Sequence, residues 1–235
     1  MIQLDRLHLA FDGQVLFTDL SVQLSEQRIG LLGFNGSGKS SLLRLLNGLL
    51  QPQQGRVLVH GQDAAQGPVA MSSTVGFIFQ NPDHQLIFPT VLEELCFGLR
   101  NQGCSAKEAE QRAMELLSAH QRQSWAERSV YSLSEGQKQW LCIQAVLLLQ
   151  PRLLVLDEPF SALDLPSQLR LQDYLFSLPQ QLVMISHELE LLQDFDRLLW
   201  LHQGQLIADG SPAELLPRYR RAAQHFARHG ELPPC

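Results

Sequence analysis

Charge is scarce in this chain. Of its 235 residues, 18% are Asp, Glu, Lys or Arg and 45% are hydrophobic, against roughly 25% charged in an average globular protein, which excludes a disordered chain. A basic excess is also missing: 18 Lys and Arg face 24 Asp and Glu, leaving a net charge of −6, so there is no electrostatic footprint of a duplex binder and no nucleic-acid partner is expected. The cysteines, Cys96, Cys104, Cys142 and Cys235, contain no CxxC pair, which speaks against a disulfide or zinc framework and for a reducing, cytoplasmic compartment. No apolar run approaches the ~18 residues that cross a bilayer, and the start lacks the charged and apolar regions of a signal peptide. If the protein works at a membrane, it is expected to do so from outside the lipid, on the cytoplasmic face. No internal repeat or low-complexity linker interrupts the sequence.

What is present has α/β character. Residues 2–24 alternate apolar and polar around Asp12-Gly13, the pattern of two antiparallel strands and a turn. Residues 28–32 form an apolar strand that runs into a glycine-rich loop and then a helix with buried spacing over 40–46. Further strands are expected at 55–61 and 75–79. From 89 to 120 the pattern is helical, with Leu92, Leu95, Leu99, Ala109, Ala113, Leu116 and Leu117 on one face. Residues 153–156 and 182–185 are continuous apolar runs, as in parallel strands covered on both faces, and ligands of open α/β sheets gather at the carboxyl ends of such strands. A hairpin at Gln203-Gly204, a helix opened by Ser211-Pro212 and a basic tail over 218–228 complete the chain.

Residues 33–40, GFNGSGKS, match GxxxxGK[ST] between the expected strand and helix, the context that motif requires. Gly33, Gly36 and Gly38 let backbone N–H groups close around phosphate oxygens, with Asn35, Ser37 and Ser41 in the same cradle, and the helix N-terminus adds its positive end. Lys39 is placed for the β and γ phosphates, and Ser40 for Mg²⁺. Asp157 and Glu158 end the most apolar strand: either they merely cap it, or Asp157 contacts Mg²⁺ and Glu158 polarises an attacking water. Ser134 and Gln137 have the S-x-x-Q form of a capping box, by itself only a helix start. His225 and His229 lie four apart without a third ligand, the pattern of a solvated tail face rather than a metal site.

Taken in order, the phosphate loop, LSEGQ at 133–137, LLVLDEP at 153–159, SALD at 161–164 and His187 resemble the ATP-binding-cassette (ABC) ATPases over nearly the whole chain. The resemblance implies an α/β P-loop NTPase core sheet with an N-terminal antiparallel β subdomain and an inserted helical subdomain. In residue terms, 1–83 with 151–210 is the nucleotide-binding core, 84–150 the helical signature subdomain and 211–235 a helical tail. It further implies ATP and Mg²⁺ as ligands, and two copies (or this chain and a paralogue) sandwiching nucleotide head to tail. Ser134 and Gly136, with Gln137, would contact the γ-phosphate held by the opposite subunit. Gln80 would contact Mg²⁺ and water, Asp164 would cross the dimer, and His187 would bond the γ-phosphate. Phe11 stands where the family stacks an aromatic ring on adenine, though a packed strand residue fits it nearly as well. Glu135 departs from the usual LSGGQ and is expected to point away from nucleotide. The segment 80–99, with QNPDHQLIFPTVLEE and FGL, resembles the ATPases of energy-coupling factor (ECF) transporters. That implies docking through Leu86, Ile87 and Phe88 on a membrane T component, with a substrate-binding S component, for uptake of a vitamin such as biotin or of cobalt or nickel. An ordinary ABC importer or exporter cassette, or a soluble ABC ATPase acting on nucleic acid, are the alternatives.

Overall fold

The N-terminal alternation becomes two antiparallel strands, β1 (Ile2–Phe11) and β2 (Gln14–Leu24), paired from Ile2 opposite Leu24 to Phe11 opposite Gln14 with shifts of register between. The computed structural model describes residues 1–11, 14–161 and 163–231, without the side chains of Phe11 and Gln14. The expected turn at Asp12-Gly13 lies outside the described residues. Leu4 and Leu7 are both buried despite odd spacing, because the β1–β2 register shifts between them and Arg6 takes a φ of 46°. A bulge of this kind returns the following side chains to the inner face.

The chain divides into two compact units, Met1–Val69 with Gln181–Cys235, and Ala70–Gln180. In the first unit, β4 (Gln54–Val59) and β5 (Gln62–Asp63) extend the antiparallel layer in the order β2-β1-β4-β5. Beside it, β3 (Arg28–Leu32) pairs in parallel with β8 (Gln181–Ile185) and with β9 (Arg197–His202). As expected, β9 turns back through Gln203-Gly204 into β10 (Gln205–Gly210). Helix α1 (Lys39–Leu46) leaves the end of β3, burying Leu42, Leu43, Leu45 and Leu46. Helix α7 (Pro212–His229) starts as the sequence indicated, with Glu214 Oε2 accepting from the Ser211 N–H and Oγ at 3.3 and 3.0 Å. Arg197 ties the strands together, donating to Asp209 at 2.7 and 2.6 Å, to Glu26 at 3.1 and 3.2 Å, and to Gln23 O at 2.9 Å.

After the single turn α2 (Pro68–Met71), the second unit pairs β6 (Val75–Ile78) in parallel with β7 (Leu153–Asp157). The helical stretch resolves into α3 (Val91–Asn101) and α4 (Ala106–Ala119). Thr90 caps α3 through a reciprocal box with Glu93, and Ser105 caps α4. Helix α5 (Glu135–Leu147) and α6 (Leu165–Ser177) follow. Val91 and Leu95 from α3, Ala113 and Leu117 from α4 and Leu141 from α5 form the core of these helices, with Leu92 and Leu116 at its partly buried margin. The fold is the expected α/β class: an antiparallel layer first, parallel strands that follow the phosphate loop, and a helical segment within the chain.

Candidate functional site

In the first unit the loop after β3 closes on a lysine. Lys39 Nζ donates to Gly33 O at 2.7 Å and Phe34 O at 3.1 Å, so the ammonium is held inside the turn that precedes its helix. The backbone here demands glycine. Gly33 and Gly38 have φ of 152° and 101°, and a Cβ at 38 would meet the Phe17 ring at 2.9 Å. Helix α1 has no side-chain cap, Gly38 serving as its N-cap. An uncapped helix start preceded by a glycine turn favours an anion through its N–H groups and dipole. Ser37 Oγ is buried with no hydrogen-bond partner, a polar atom left for a ligand or water. At the exposed rim, a Cβ on Gly36 would meet nothing within 4 Å, so the loop leaves room there. These features fit phosphate oxygens. His187 follows β8 and is exposed, beside Ser186, whose Oγ accepts from Glu188 N at 3.0 Å.

One contact was not legible in the sequence. Phe34, inside the phosphate loop, packs on Tyr219 and Phe226 of α7 with ring centroids 5.6 and 4.6 Å apart. Burial raises the Tyr219 phenol pKa, partly offset by a backbone hydrogen bond with Gly33. The tail helix thus braces the loop. The available signal was the i, i+4, i+7, i+11 apolar spacing of Leu215, Tyr219, Ala222 and Phe226, which marks a packed face rather than a solvated tail. The two tail histidines stack on each other at 4.1 Å, and no group of three His, Cys, Asp or Glu that could hold a metal occurs among the described residues.

In the second unit β7 ends at Asp157, and the chain turns sharply at Glu158, whose φ is 49°. A non-glycine residue held in the left-handed region is uncommon and clusters at functional sites. Gln80, just past β6, donates from Nε2 to Glu158 Oε2 at 3.3 Å, so these two residues are brought together across the paired strands. The capping box is as read: Gln137 N donates to Ser134 Oγ at 3.4 Å and Ser134 N to Gln137 Oε1 at 3.1 Å. It starts α5 at Glu135, ahead of the apolar run that opens at Trp140. A Cβ on Gly136 would lie 3.6 Å from Leu163 and 3.5 Å from Ser167 Oγ, so Leu163 and Ser167 adjoin the signature helix. Asp164 is the N-cap of α6, its Oδ1 accepting from Ser167 N at 3.0 Å; that serine holds its carboxyl below the usual range. Ala162 and the Phe11 ring lie outside the described residues. Glu135 Oε1 lies 3.2 Å from Lys138 Nζ. Ser40 in the first unit, and Gln80 and Asp157 in the second, each carry a side-chain oxygen, the ligand type of a hard cation such as Mg²⁺.

Of the three apolar residues at 86–88, Ile87 is 67% exposed, whereas Leu86 packs against the helical core and Phe88 stacks on Phe97 at 5.0 Å. Glu94, buried, accepts from both the Ile87 and Phe88 N–H groups at 2.9 Å.

A family model described as ABC transporter matches residues 17–161. The biotin transport ATP-binding protein BioM of Rhodobacter capsulatus is 46% identical over 229 residues, covering 97% of this chain and 98% of that protein. BioM of Rhizobium etli is 38% identical over 222 residues, covering 94% and 99%. Among solved structures, CbiO1 of Clostridium perfringens, described as part of the ABC transporter complex CbiONQ, superimposes with a TM-score of 0.80 at 25% identity, covering 97% of this chain and 95% of that one. The family match spans the phosphate loop, the glutamine loop, the signature helix and the acid-ended strand, and the relatives align over almost their whole length. The chain therefore belongs to the ABC transporter family, as one of its ATP-binding subunits.

Proposed function

We propose that this protein is the ATP-hydrolysing subunit of an ECF-type importer, peripheral on the cytoplasmic face of the membrane, whose nucleotide-driven dimer closure powers uptake of biotin or a biotin-like vitamin. The observation that carries this reading is the 46% identity to a biotin transport ATP-binding protein across 97% of the chain. No described helix is long and apolar enough to cross a membrane; this reading assigns the transport path to partner subunits, a T component and a substrate-binding S component. Cobalt or nickel is the alternative cargo of the same assembly, and a conventional ABC importer or exporter the alternative assembly.

In this reading the glycine cradle holds the triphosphate, with Gly33, Asn35, Gly36, Ser37, Gly38 and Ser41 around it and Lys39 on the β and γ phosphates. Ser40, Gln80 and Asp157 would hold Mg²⁺, which when bound neutralises developing phosphate charge. Glu158, hydrogen-bonded to Gln80, orients and polarises the attacking water, and His187 bonds the γ-phosphate. Ser134, Gly136 and Gln137 of a second copy, or of a paralogue, close over the nucleotide through the N-terminus of α5, with Asp164 reaching across. Phosphoryl transfer asks mainly for positioning and charge stabilisation, and the motif set supplies both. Closing and reopening of the dimer then moves the attached membrane helices.

The test is affinity purification of the tagged protein from detergent-solubilised membranes, with identification of the integral membrane proteins that accompany it and assay of labelled biotin uptake. The reading requires a small T-type and S-type pair and ATP-dependent uptake of biotin. Recovery of exporter subunits, or no membrane protein at all, overturns it.

A further inference from the structure

Lys138, on the first turns of the signature helix α5, is only 9% exposed. Its Nζ donates to Asp83 Oδ1 at 2.8 Å and to Glu135 Oε1 at 3.2 Å. A charge withdrawn from water is costly unless paired, so the position of this ammonium depends on the two acids. They come from different segments. Glu135 opens α5 next to Ser134, while Asp83 sits in the 3-10 turn Pro82–His84 that follows Gln80, a turn shaped by Asn81 Oδ1 accepting from Asp83 N at 2.9 Å. The same turn is fastened to α5 twice more: Cys142 Sγ donates to Pro82 O at 3.8 Å, and Gln85 Nε2 donates to Cys142 O at 3.2 Å. The loop therefore begins at Gln80, bonded to Glu158, is tied at its middle to the signature helix, and ends at the apolar residues 86–88, held by Glu94.

We propose that Lys138 is a positioning residue: the strap Asp83–Lys138–Glu135 makes the glutamine loop and the signature helix one moving piece, so that displacement of residues 86–88 by a membrane partner reaches Ser134. This rests on the docking reading given above. It also gives the acid at 135 a purpose in place of a glycine. Glu135 anchors the strap at the helix start, where a carboxylate suits the dipole, and the pairing keeps its charge directed at Lys138.

The test is a mutant cycle on the purified full-length chain, measuring steady-state ATP turnover for Lys138→Gln, Asp83→Asn, the double variant and Lys138→Arg. Cutting either end opens the same strap, so each single variant is expected to lower kcat about tenfold with KM held within about twofold, and the double variant to be no worse than either. Lys138→Arg keeps the pairing and most of the turnover. Unchanged kcat in both single variants, or losses that multiply to about a hundredfold in the double variant, overturns the strap. The Asp83 side chain is 52% exposed, so Asp83→Asn is tolerated even where a neutral residue at 138 is not. It then decides alone: a tenfold loss supports the strap, and unchanged turnover removes it. Membrane association of the same proteins separates the two readings. A non-additive cycle in a chain that does not bind membranes retains the strap and removes docking. Multiplying losses in a chain that does bind remove the strap alone.

Discussion

Glu158 combines three properties in one residue: it follows the carboxyl end of a buried strand, it takes a left-handed backbone conformation with φ 49°, and its carboxylate accepts from Gln80. The first could be read from the apolar run before it; the other two could not, because neither a dihedral angle nor a partner distant in sequence has a local signature. A carboxylate paired with an amide at 3.3 Å can hold a water between a base and a donor, which is what in-line attack on phosphorus needs. Glu158→Gln preserves size and hydrogen bonding but removes the base proposed for this position. It is expected to lower phosphate release by about a hundredfold or more while retaining ATP and accumulating a closed dimer, measured by phosphate assay and light scattering with nucleotide. Hydrolysis at the parental rate would assign the base elsewhere.

At the scale of elements, helix starts were the most legible features, because a cap needs only neighbours within a single turn. Ser134 with Gln137, Ser211 with Pro212 and the strand-to-helix loop at 33–40 are all where their local chemistry puts them. Thr90→Ala removes the reciprocal box of α3 and is expected to cost about 1 kcal/mol, read as a shift of the denaturant midpoint with unchanged slope. The ties between elements were hidden. Arg197 reaches Glu26 across 171 residues of sequence, and its effect on that acid sets a pH dependence. Burial pushes the Glu26 pKa up, but the backbone N–H groups of Glu26 and Ser25 together with Arg197 outweigh it, and the value falls below the ordinary 4.5. A depressed folded value means that the contribution is fully present above 4.5 and is lost as pH falls through the lower, folded value. Stability measured from about pH 7 to about pH 3 should therefore show an acid limb that Glu26→Gln makes shallower, with the slope above 4.5 unaffected.

At the scale of the whole molecule, the proposed docking surface turns on an apolar side chain left in water near the glutamine loop. Ile87 is 67% exposed, while its backbone is pinned by Glu94, so the side chain is presented by a fixed loop. Leu86, by contrast, belongs in part to the helical core. Replacing Ile87 and Phe88 with Asp and Ser should release the protein from membranes that carry its partners, with ATP affinity changed by less than about twofold, since phosphate binding is assigned to the glycine cradle. Flotation with the membrane fraction and nucleotide titration measure the two halves of that outcome. Membrane binding that survives the double substitution would place the docking surface elsewhere on the chain.

The sequence by itself determined whatever depends on near neighbours: the alternation of β1 and β2, the apolar runs of β7 and β8, the helix caps and the glycine cradle. Each follows from side-chain period or from dihedral preferences within a few residues. The tertiary structure decided which distant groups meet. Gln80 finds Glu158 across 78 residues, Lys138 finds Asp83 across 55, and Phe34 finds the aromatic face of α7. Such pairings arise only when separate elements are packed side by side. A buried ammonium or an exposed isoleucine acquires its meaning from that packing and from no property of its own segment.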